Sequence, residues 1–582
     1  MPLHNSEVAD QFRMMADLLS IKDANEFRIR AYRNAAQIVS NMSDNIEDMV
    51  DENQDLTELD GIGEDLAAKI EEIVKEGKME ELEELKEEIS PEVAEMLNIA
   101  GLGPERVKTI YHELDVLSVE ELKHAAEDGM ISELSGFGEK TENKILEDIQ
   151  SREEKGEQRR ILISRAEEIA EPLLEYLRGF DKITRADIAG SYRRRKETVG
   201  DLDILVCGDN NEEIINYFTN YEDVSKIISS GETKSSIILS DGIQVDLRVV
   251  AGESYGSALH YFTGSKEHSV KIRKIGQDQD LKINEYGVFN VEEGEDNEER
   301  IGGEEEKDIY ESLGFPYIEP ELREQRGELE IDDKGDLPDL IKLDDIKGDL
   351  QMHTDATDGR DTMADMIEAA IEKEYQYIAL TDHSRRVTMA QGLDEDDVKE
   401  QIEKIDKMNE KYDDIKILKG IEVDILKDGS LDLEEDILSE LDIRVCSIHY
   451  NTNLSRDEQT ERMIEAIKHP LCNIIAHPTG RIIAKRQGYD INLDKVMEAA
   501  RKYNTALEIN AQPDRLDLAD KYVKKAVDMG VNLVISTDAH NVNGLNNIKY
   551  GVYQARRGWC EADNVINTRD LEELMSFIRN DE

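Results

Sequence analysis

The sequence predicts a multidomain fold in three parts: a helical N-terminal region, a mixed α+β middle and a C-terminal β/α barrel. The chain has 582 residues, more than one ordinary hydrophobic core accommodates. Residues 1–150 consist of charged amphipathic runs separated by short glycine turns, which is typical of packed helices. From Asp345 onward, short apolar runs alternate with helical stretches, the pattern of parallel strands joined by helices.

The N-terminal region repeats one glycine pattern three times. The glycine pairs are Gly61 and Gly63, Gly101 and Gly103, and Gly136 and Gly138. Such a turn at the start of a helix leaves backbone N–H groups free to bind a phosphate oxygen. A single copy is equally well explained as an ordinary turn between two helices. Three copies resemble helix-hairpin-helix elements, which bind the nucleic-acid backbone without reading its sequence.

The middle region contains strand signals followed by an acidic stretch. Strands are predicted over residues 202–207, 236–239 and 243–250, and Asp241-Gly242 reads as a hairpin turn between the last two. Residues 319–340 are rich in acids and have no steady apolar period, so we expect a linker there.

Three carboxylates in the middle region have the spacing of a metal site. Asp201 and Asp203 lie two residues apart on a predicted strand and so face the same side, and Asp246 alternates with apolar neighbours on another. Carboxylates on neighbouring strands can hold two divalent ions about 3.5–4 Å apart, as in-line phosphoryl transfer requires. An isolated Asp-x-Asp is a weak signal in so acidic a chain, where a solvated turn is the commoner meaning.

A glycine, a serine and four cations precede the first two carboxylates and strengthen the signal. Gly190-Ser191 is followed by the cluster Arg193 to Lys196. Consecutive cations in an acidic protein indicate an anion site, with Ser191 and Arg194 as ligands of a triphosphate.

Residues 190–203, 261–265 and 283–287 closely resemble the DNA polymerase X family, which includes DNA polymerase beta. The resemblance implies a nucleotidyltransferase palm and thumb, with Asp201, Asp203 and Asp246 binding two Mg²⁺ or Mn²⁺ ions. Asp246 would also be the general base toward the primer 3′-hydroxyl. Arg195 is a departure, since the family usually has glycine there.

The same resemblance assigns roles to further residues. The implied nucleotide-binding residues are Gly190, Ser191, Arg194, Gly200, Tyr261, Phe262 and Gly264, with the Tyr-Phe pair checking the nucleotide sugar. The implied DNA-binding residues are the six turn glycines, Arg248 and Arg273, with Arg273 contacting the template strand.

Residues 27–39 also resemble the DNA-end-binding domain of this family. Lys69 matches the lysine that forms a Schiff base in its deoxyribose-phosphate lyases, whereas Asp65 replaces a basic residue usual in the lyase-active members. The alternative is an ordinary surface lysine on a charged helix.

Nine polar positions in the last 240 residues nearly all follow short apolar runs. They are Gln351, His353, Asp358, His383, Glu422, His449, His477, Asp538 and His540. Side chains at the C-terminal ends of successive barrel strands converge on one site. Five of the eleven histidines of the chain occupy these places, which scattered core or surface histidines would not do. Imidazole and carboxylate ligands suit Mn²⁺, Zn²⁺ or Fe.

This arrangement resembles the PHP (polymerase and histidinol phosphatase) domain, a distorted seven-stranded β/α barrel with up to three metal ions. Gln351 stands where that family has histidine, and Asp349 or a water could take its place. A PHP domain after a family X polymerase resembles the bacterial and archaeal enzymes, which implies a 3′–5′ exonuclease with AP-endonuclease or 3′-phosphatase activity. Arg481 is a candidate phosphate ligand or equally a simple salt bridge.

The predicted domain limits combine these observations. They are a DNA-end-binding domain with the first glycine turn (1–90), a fingers-like helix-hairpin-helix region (91–155), the palm (156–255), the thumb (256–320), a linker (321–343) and the PHP domain (344–582).

The net charge of the chain indicates the salt concentration in which the protein works and says little about its reaction. With 71 Lys+Arg against 133 Asp+Glu, the net charge is −62. The acids are spread along the chain, which indicates adaptation to near-saturating salt, where charges are screened, and an archaeal halophile. DNA binding then predicts a local cationic strip, formed by residues 193–196 and 266–274.

The four cysteines are scattered, with no CxxC pair, and no apolar run is long enough to span a membrane. With no visible signal peptide, we expect a cytoplasmic enzyme.

These features together predict a DNA-directed DNA polymerase that fills short gaps in base-excision repair, and whose PHP domain processes 3′ ends. The expected partners are gapped or nicked DNA and dNTPs, with the protein a monomer. One alternative is a PHP phosphoesterase or nuclease whose polymerase module is only a DNA clamp. Another is a non-catalytic DNA scaffold, which two complete metal sites disfavour.

Overall fold

The computed structural model describes residues 5–579, apart from 23, 42–45, 52–53, 60, 77, 83–84, 86–92, 94–95, 97–98, 100–101, 115, 128, 133, 135, 139, 147–148, 150–159, 292–298 and 331–336. The chain forms two compact units, Met1–Arg159 and Arg160–Glu582.

The first unit is helical over its described residues, as predicted. Its helices are Asn5–Ile21, Glu26–Asn41, Ile46–Asp51, Glu64–Glu76, Pro104–Leu114 and Val119–Glu127. Their apolar faces form one hydrophobic cluster that includes Phe12, Tyr32 and Ile70.

The glycine turns of this unit lie where helices begin. Gly63 and Gly103 directly precede the helices that start at Glu64 and Pro104. Gly61 has φ +92° and a Cβ there would lie 2.8 Å from Ile38 Cδ1, so glycine is required. Gly136 also has positive φ, at +86°, and Gly138 lies just before residues 140–146, which are helical. Gly101 falls outside the described residues.

The second unit begins with the palm. Its strands are β1 (Ile161–Leu162), β2 (Ile183–Ile188), β3 (Thr198–Val199), β4 (Asp201–Gly208), β5 (Val224–Ser230), β6 (Lys234–Leu239) and β7 (Gln244–Val249). Five of them form a sheet in the order β2-β4-β7-β6-β5, in which β4 and β7 are parallel. The predicted hairpin is confirmed as β6 and β7, with Gly242 at φ +83° in the turn. The helices Ile163–Arg178 and Asn211–Thr219 complete this part.

A smaller sheet and three helices follow. The helices are Tyr255–Thr263, Lys266–Asp278 and Lys307–Ser312, and the strands are β8 (Leu281–Asn284), β9 (Gly287–Asn290) and β10 (Glu299–Gly302), which form an antiparallel sheet.

The acidic stretch expected to be a linker is packed over its described part. Residues 320–322 form a short 3-10 helix, and the Arg323 and Glu328 side chains are buried. The reason is charge pairing, which an apolar period does not reveal: Arg323 binds Glu306, and the Glu328 carboxylate accepts hydrogen bonds from the backbone N–H groups of Gln325 and Arg326.

The C-terminal part is a nearly closed parallel barrel of seven strands. They are β11 (Gly348–Met352), β12 (Tyr377–Leu380), β13 (Lys416–Asp424), β14 (Ile443–Ser447), β15 (Ile474–Ile475), β16 (Ala506–Asn510) and β17 (Leu533–Ser536), hydrogen-bonded in chain order. The ends of β11 and β17 approach each other, since the His353 N–H donates to the Ala539 carbonyl at 2.8 Å. The predicted multidomain fold with a distorted seven-stranded barrel is thus confirmed.

Helices surround the barrel. They are Met363–Glu372, Glu395–Lys411, Glu435–Leu438, Arg456–Ile467, Leu493–Tyr503, Asp520–Met529, Ile548–Arg557 and Leu571–Arg579. Five barrel strands coincide with short apolar runs that predict strands in the sequence, at residues 377–380, 441–447, 472–475, 506–509 and 533–536. The strands β11 and β13 were not predicted, because buried polar residues such as Gln351 and Glu422 interrupt them. Over the described part of the chain, no helix combines the length and apolarity needed to cross a bilayer.

Candidate active sites

The palm sheet brings the three predicted carboxylates together. In the parallel register of β4 and β7, Asp203 lies directly opposite Asp246. Asp201 lies two residues before Asp203 and therefore on the same face of the sheet. The neighbours Leu202 and Val245 point to the other face and are fully buried, which fixes this orientation.

The turn that starts at Gly190 closes on this carboxylate group. Gly190 has φ +63°, and a Cβ there would lie 2.7 Å from Asp203 Oδ2. Any larger residue would therefore clash with a predicted metal ligand. The backbone is fixed as well, because the Ala189 N–H donates to the Asp203 carbonyl at 2.7 Å.

Burial and the neighbouring charges shift the pKa values of these carboxylates. Burial raises the pKa of Asp203 to about 6, with further contributions from the charges of Asp201 and Asp246. Burial and Asp246 also raise the pKa of Asp201. Burial would raise the pKa of Asp246 too, but hydrogen bonds, the first from Lys234, lower it. A carboxylate group that disfavours its own charge is suited to divalent cations, which restore the balance.

Lys234 is a member of this site that sequence reasoning missed. Its Nζ lies 2.9 Å from Asp246 Oδ2, because β6 pairs with β7. The sequence signal for it is weak: Lys234 is the first residue of β6, the strand joined by the hairpin to β7, which carries Asp246.

The four cations after Ser191 are paired rather than exposed. Arg193 binds Glu306 at 2.7 Å, Arg194 Nε lies 3.0 Å from Glu324 Oε1, and Lys196 Nζ lies 3.9 Å from Glu324 Oε2. Arg195 has φ +55°, and its guanidinium lies 4.3 Å from the centre of the Tyr553 ring. This part of the predicted cationic strip is thus wrong: acids 100 or more residues further along the chain neutralise it.

Both predicted DNA-binding arginines lie beside the predicted aromatic pair. The rings of Tyr261 and Phe262 are 5.1 Å apart, and Arg273 and Arg248 lie 5.9 and 4.4 Å from them respectively. Gly264 has φ +70°, and a Cβ there would lie 3.1 Å from Arg194 Nη1.

Two further predicted residues lie apart from that pair. A Cβ at Gly200 would lie 3.1 Å from Arg160 Nη1. In the N-terminal unit, the Glu81 carboxylate binds Lys69, Arg28 and the Tyr32 hydroxyl. The Lys69 side chain is only 14% exposed, so it is not the free surface lysine of the alternative reading.

The barrel gathers the predicted imidazoles and carboxylates at the C-terminal ends of its strands. Three sets have ligand atoms within 4.8 Å of one another: His353, Asp358, His383 and His540; His383, Glu422 and His449; and His353, Glu422 and Asp538. His477 joins them, with Nε2 3.3 Å from Glu422 Oε1. Eight of the nine predicted positions therefore meet around Glu422 and His353.

The residues present fit metal ions. Among the described residues, neither ring nitrogen of His353 and neither carboxylate oxygen of Glu422 makes a hydrogen bond of good geometry, although all four atoms are buried. His353 Nε2 approaches Asp538 Oδ1 at 3.1 Å and Glu422 Oε2 at 3.3 Å, but the angles are poor for a hydrogen bond. Burial would lower the pKa of His353, but Asp538 and Glu422 raise it well above the ordinary value. Buried polar atoms without partners are costly, and cations coordinated by them remove that cost.

Backbone and carboxylate groups orient several of these ligands. His449 Nδ1 lies 3.3 Å from Asp424 Oδ1, and His540 Nδ1 lies 2.8 Å from the Asp538 carbonyl. Such outer contacts are typical of metal-binding imidazoles.

Gln351 is buried, and neither amide atom has a hydrogen-bond partner among the described residues. Asp349 does not replace it, because its carboxylate binds the Thr537 hydroxyl at 2.5 Å and the Thr537 N–H at 3.2 Å. Burial raises the pKa of Asp349 to about 6.

Glu508 and Arg515 are residues of this site that sequence reasoning missed. Glu508 lies on β16, the one barrel strand without a predicted position, and accepts the His477 N–H at 2.6 Å. Arg515 Nε lies 4.0 Å from Asp538 Oδ2 with a quarter of its side chain exposed. The signal for Glu508 was a lone acid within an apolar strand; Arg515 lies in a loop with no pattern.

Arg481, the candidate phosphate ligand, is committed elsewhere. It binds Glu197 at 2.7 Å and also the Leu516 carbonyl. The salt-bridge alternative is therefore the observed one, and it joins the barrel to the palm.

Comparison with known proteins agrees with this architecture. Family models match over most of the chain: helix-hairpin-helix domain (residues 3–79), SAM-like helix-hairpin-helix tandem (93–151), DNA polymerase beta palm (160–250), DNA polymerase beta thumb (258–324) and PHP domain (349–512).

Whole-chain similarity extends the agreement. The chain is 40% identical over 583 residues to the DNA polymerase/3′-5′ exonuclease PolX of Bacillus subtilis (strain 168), covering 100% of both chains. Proteins named probable phosphatase are similar to a shorter part of the chain. One from Thermoanaerobacter sp. (strain X514) is 29% identical over 228 residues, which is 38% of this chain and 88% of the relative.

The palm carboxylates, the imidazole-rich barrel and a full-length match that spans both lead to one assignment: the chain belongs to the PolX family of DNA polymerases with 3′–5′ exonuclease activity.

Proposed function

We propose that this enzyme adds nucleotides to DNA 3′ ends in short gaps, and that Asp201, Asp203 and Asp246 are its catalytic residues. The observation that supports the proposal is that Asp203 and Asp246 lie opposite each other on β4 and β7, with Gly190 directly against the Asp203 carboxylate. These carboxylates would hold two Mg²⁺ or Mn²⁺ ions, which stabilise the attacking and leaving oxygens of phosphoryl transfer. Asp246 would accept the proton of the primer 3′-hydroxyl.

The turn after Gly190 would bind the triphosphate. Ser191 and Arg194 would donate to its oxygens, Arg194 after it releases Glu324, which lies 3.0 Å away. Gly264 leaves room for the Arg194 side chain and Gly200 for the Arg160 side chain, and Tyr261 and Phe262 would contact the nucleotide sugar. Arg248 and Arg273, beside the aromatic pair, would bind the DNA backbone and template.

The barrel would process 3′ ends as a 3′–5′ exonuclease, with AP-endonuclease or 3′-phosphatase activity on suitable ends. Its ligands are His353, Asp358, His383, Glu422, His449, His477, Asp538 and His540, which would hold up to three Mn²⁺, Zn²⁺ or Fe ions. Such ions activate water and stabilise charge on phosphate oxygens. Arg515, beside Asp538, is placed to bind the phosphate in the role first considered for Arg481.

The N-terminal unit would bind the DNA backbone through its glycine turns. The six turn glycines, Gly61, Gly63, Gly101, Gly103, Gly136 and Gly138, would offer backbone N–H groups to phosphate oxygens. Lys69 is the candidate nucleophile for a deoxyribose-phosphate lyase step, with Arg28 and Tyr32 beside it.

The setting of this function is inferred from the sequence. We propose a monomeric cytoplasmic enzyme of a halophilic archaeon that acts in base-excision repair on gapped or nicked DNA. Its domain limits would be those predicted above, except that the described part of residues 321–343 is packed and is not a linker. No membrane partner is expected.

Extension of one-nucleotide-gapped DNA at molar KCl, with dNTPs and Mg²⁺ or Mn²⁺, tests the proposal. Template-directed addition by the wild type that Asp201→Ala abolishes, while nuclease activity stays, supports it. No addition, with 3′ shortening that His540→Ala stops, would instead establish the alternative of a nuclease carrying a polymerase-shaped clamp.

A further inference from the structure

The barrel touches the nucleotide-binding turn at three nearly consecutive residues. The Arg557 guanidinium donates to the Arg194 carbonyl at 2.6 Å. The Arg195 guanidinium lies 4.3 Å from the centre of the Tyr553 ring. The Glu197 carboxylate accepts two hydrogen bonds from Arg481, at 2.7 and 3.4 Å. All three barrel residues therefore contact the segment that links Ser191 to Asp201.

These contacts are anchored in a shared core. Tyr550 and Leu516 of the barrel part belong to the hydrophobic cluster of the palm. Tyr550, Tyr553 and Arg557 have the spacing i, i+3, i+7 on the Ile548–Arg557 helix and thus share one face. The Tyr550 hydroxyl donates to Glu167 of the palm at 2.7 Å, which fixes this face against the palm helix Ile163–Arg178.

The Arg557 contact extends to the Arg194 side chain. Arg557 is 2% exposed and also binds Glu324 at 3.1 Å and Asp520. Glu324 in turn binds Arg194 Nε at 3.0 Å. One barrel arginine thus holds the backbone of the turn and also binds Glu324, the acid that Arg194 would release when the triphosphate binds.

The barrel segment that carries Arg481 is itself fixed by hydrogen bonds. The Asp517 carboxylate accepts the N–H groups of Thr479 and Gly480, at 3.0 and 2.8 Å, two residues and one residue before Arg481. Gly480 has φ +62°, and a Cβ there would lie 2.7 Å from the Tyr489 ring. A rigid segment therefore carries Arg481 to Glu197.

We propose that Arg481, Tyr553 and Arg557 of the PHP barrel are positioning residues for the polymerase reaction. They hold the turn 194–197 in the conformation that binds the incoming dNTP. The barrel then has a second role, as the supporting wall of the nucleotide site, separate from its own metal chemistry. This inference rests on the proposed triphosphate site at Ser191 and Arg194.

Steady-state gap filling by the full chain tests it, with dNTP concentration varied for Arg481→Gln and Tyr553→Leu. We expect the KM for dNTP to rise about five- to tenfold while kcat changes less than about twofold, because the turn binds substrate but does not take part in the chemical step. Arg481→Lys should recover part of the loss. The double variant Glu197→Gln, Arg481→Gln should raise the KM for dNTP no more than either single substitution, since both substitutions remove the same ion pair.

Arg456→Gln is the matched control. Arg456 is a barrel arginine of similar exposure, 16% against 18%, that pairs with Asp490 within the barrel. Its KM for dNTP should stay at the wild-type value. Bound metal and the unfolding temperature of each variant report whether the barrel is folded.

Two results would overturn the inference. A KM for dNTP within twofold of the wild type in both Arg481→Gln and Tyr553→Leu would show that the turn holds its shape without the barrel. Parallel losses of kcat, bound metal and thermal stability would show that these residues only stabilise the fold. If the wild type itself adds no nucleotide, the proposed function fails and the inference with it; if it adds nucleotide normally, only the inference is at stake.

Discussion

Arg195 adopts a left-handed backbone conformation, φ +55°, and places its guanidinium 4.3 Å from the centre of the Tyr553 ring. The polymerase X family usually has glycine at this position, which suits positive φ. A non-glycine residue there costs about 1–2 kcal/mol, and a cation–π contact contributes up to about 2 kcal/mol when desolvated. The barrel helix therefore compensates for the departure from glycine.

We predict that Arg195→Gly leaves the free energy of unfolding within about 1 kcal/mol of the wild type, since relief of strain offsets the lost stacking. Arg195→Ala should destabilise by about 1 kcal/mol, because it keeps the strain and loses the contact. Denaturant unfolding measures both. Gln391→Gly is the control: φ is +57° there and the side chain is exposed, so the substitution should stabilise slightly. If Arg195→Gly stabilises equally, the stacking contributes nothing.

Metal binding in the palm should weaken below pH 6. Because burial and the neighbouring carboxylates raise the pKa of Asp203 to about 6, the metal-free site keeps a proton up to that pH. The ion needs the charged carboxylate, so its affinity should fall about tenfold per pH unit below 6 and level off above it.

Isothermal titration with Mn²⁺ between pH 5 and 8 measures this effect. The difference between wild type and Asp203→Asn isolates the palm from the barrel. A palm affinity that does not change between pH 5 and 7 would contradict the raised pKa of Asp203.

Gln351→His should add a ligand to the barrel site. The Gln351 amide is buried and has no hydrogen-bond partner in the described part of the chain, beside the strand end that carries His353. An imidazole in its place would join His353, Glu422 and Asp538, so we expect tighter binding of one ion and a higher unfolding temperature with metal.

Elemental analysis after dialysis against a weak chelator measures the retained metal. Gln459→His is the matched control, because Gln459 is also fully buried with an unpartnered amide but lies on the Arg456–Ile467 helix. Equal metal content in the wild type and both variants would place Gln351 outside the coordination shell.

Arg515→Ala should impair hydrolysis by the barrel. A guanidinium that binds a phosphate contributes about 1.5–3 kcal/mol, which predicts a loss of roughly 10- to 100-fold in kcat/KM. Release of nucleotides from a 3′ end and hydrolysis of a small chromogenic phosphodiester measure it. Arg515→Lys should retain more activity than alanine, and Arg456→Gln should retain all of it. Full activity of Arg515→Ala would exclude Arg515 as a phosphate ligand.

Salt should stabilise the chain strongly. At net −62, self-repulsion acts across the protein when the Debye length is about 10 Å, near 0.1 M salt, and is screened when it is about 3 Å, near 1 M. We expect the unfolding temperature to rise by about 5 °C or more between 0.1 and 2 M KCl. Sucrose at matched osmolality is the control, because it favours compact states without screening. An equal rise in sucrose would argue against charge screening.

The sequence alone was sufficient for much of both sites, because their signals are local. The spacing of Asp201 and Asp203 specifies one face of a strand, and short apolar runs before His383, His449 and Asp538 specify the ends of barrel strands. Neither inference depends on knowing which distant residues lie nearby. The strands β11 and β13 were missed for the same reason, since their polar residues face a barrel interior that only the closed fold creates.

Only the tertiary structure determined which charged residues far apart in the chain form pairs. Arg193, Arg194 and Lys196 read as an exposed anion site, yet acids at 306 and 324 neutralise them. Arg481 read equally as a phosphate ligand and as a surface pair, yet it meets Glu197, 284 residues away. Local pattern determines which face a side chain takes, whereas the energy of a charge depends on what the fold brings within about 4 Å of it. The sequence was therefore sufficient to predict the chemistry of this protein, whereas only the tertiary structure showed that its palm and its barrel are joined.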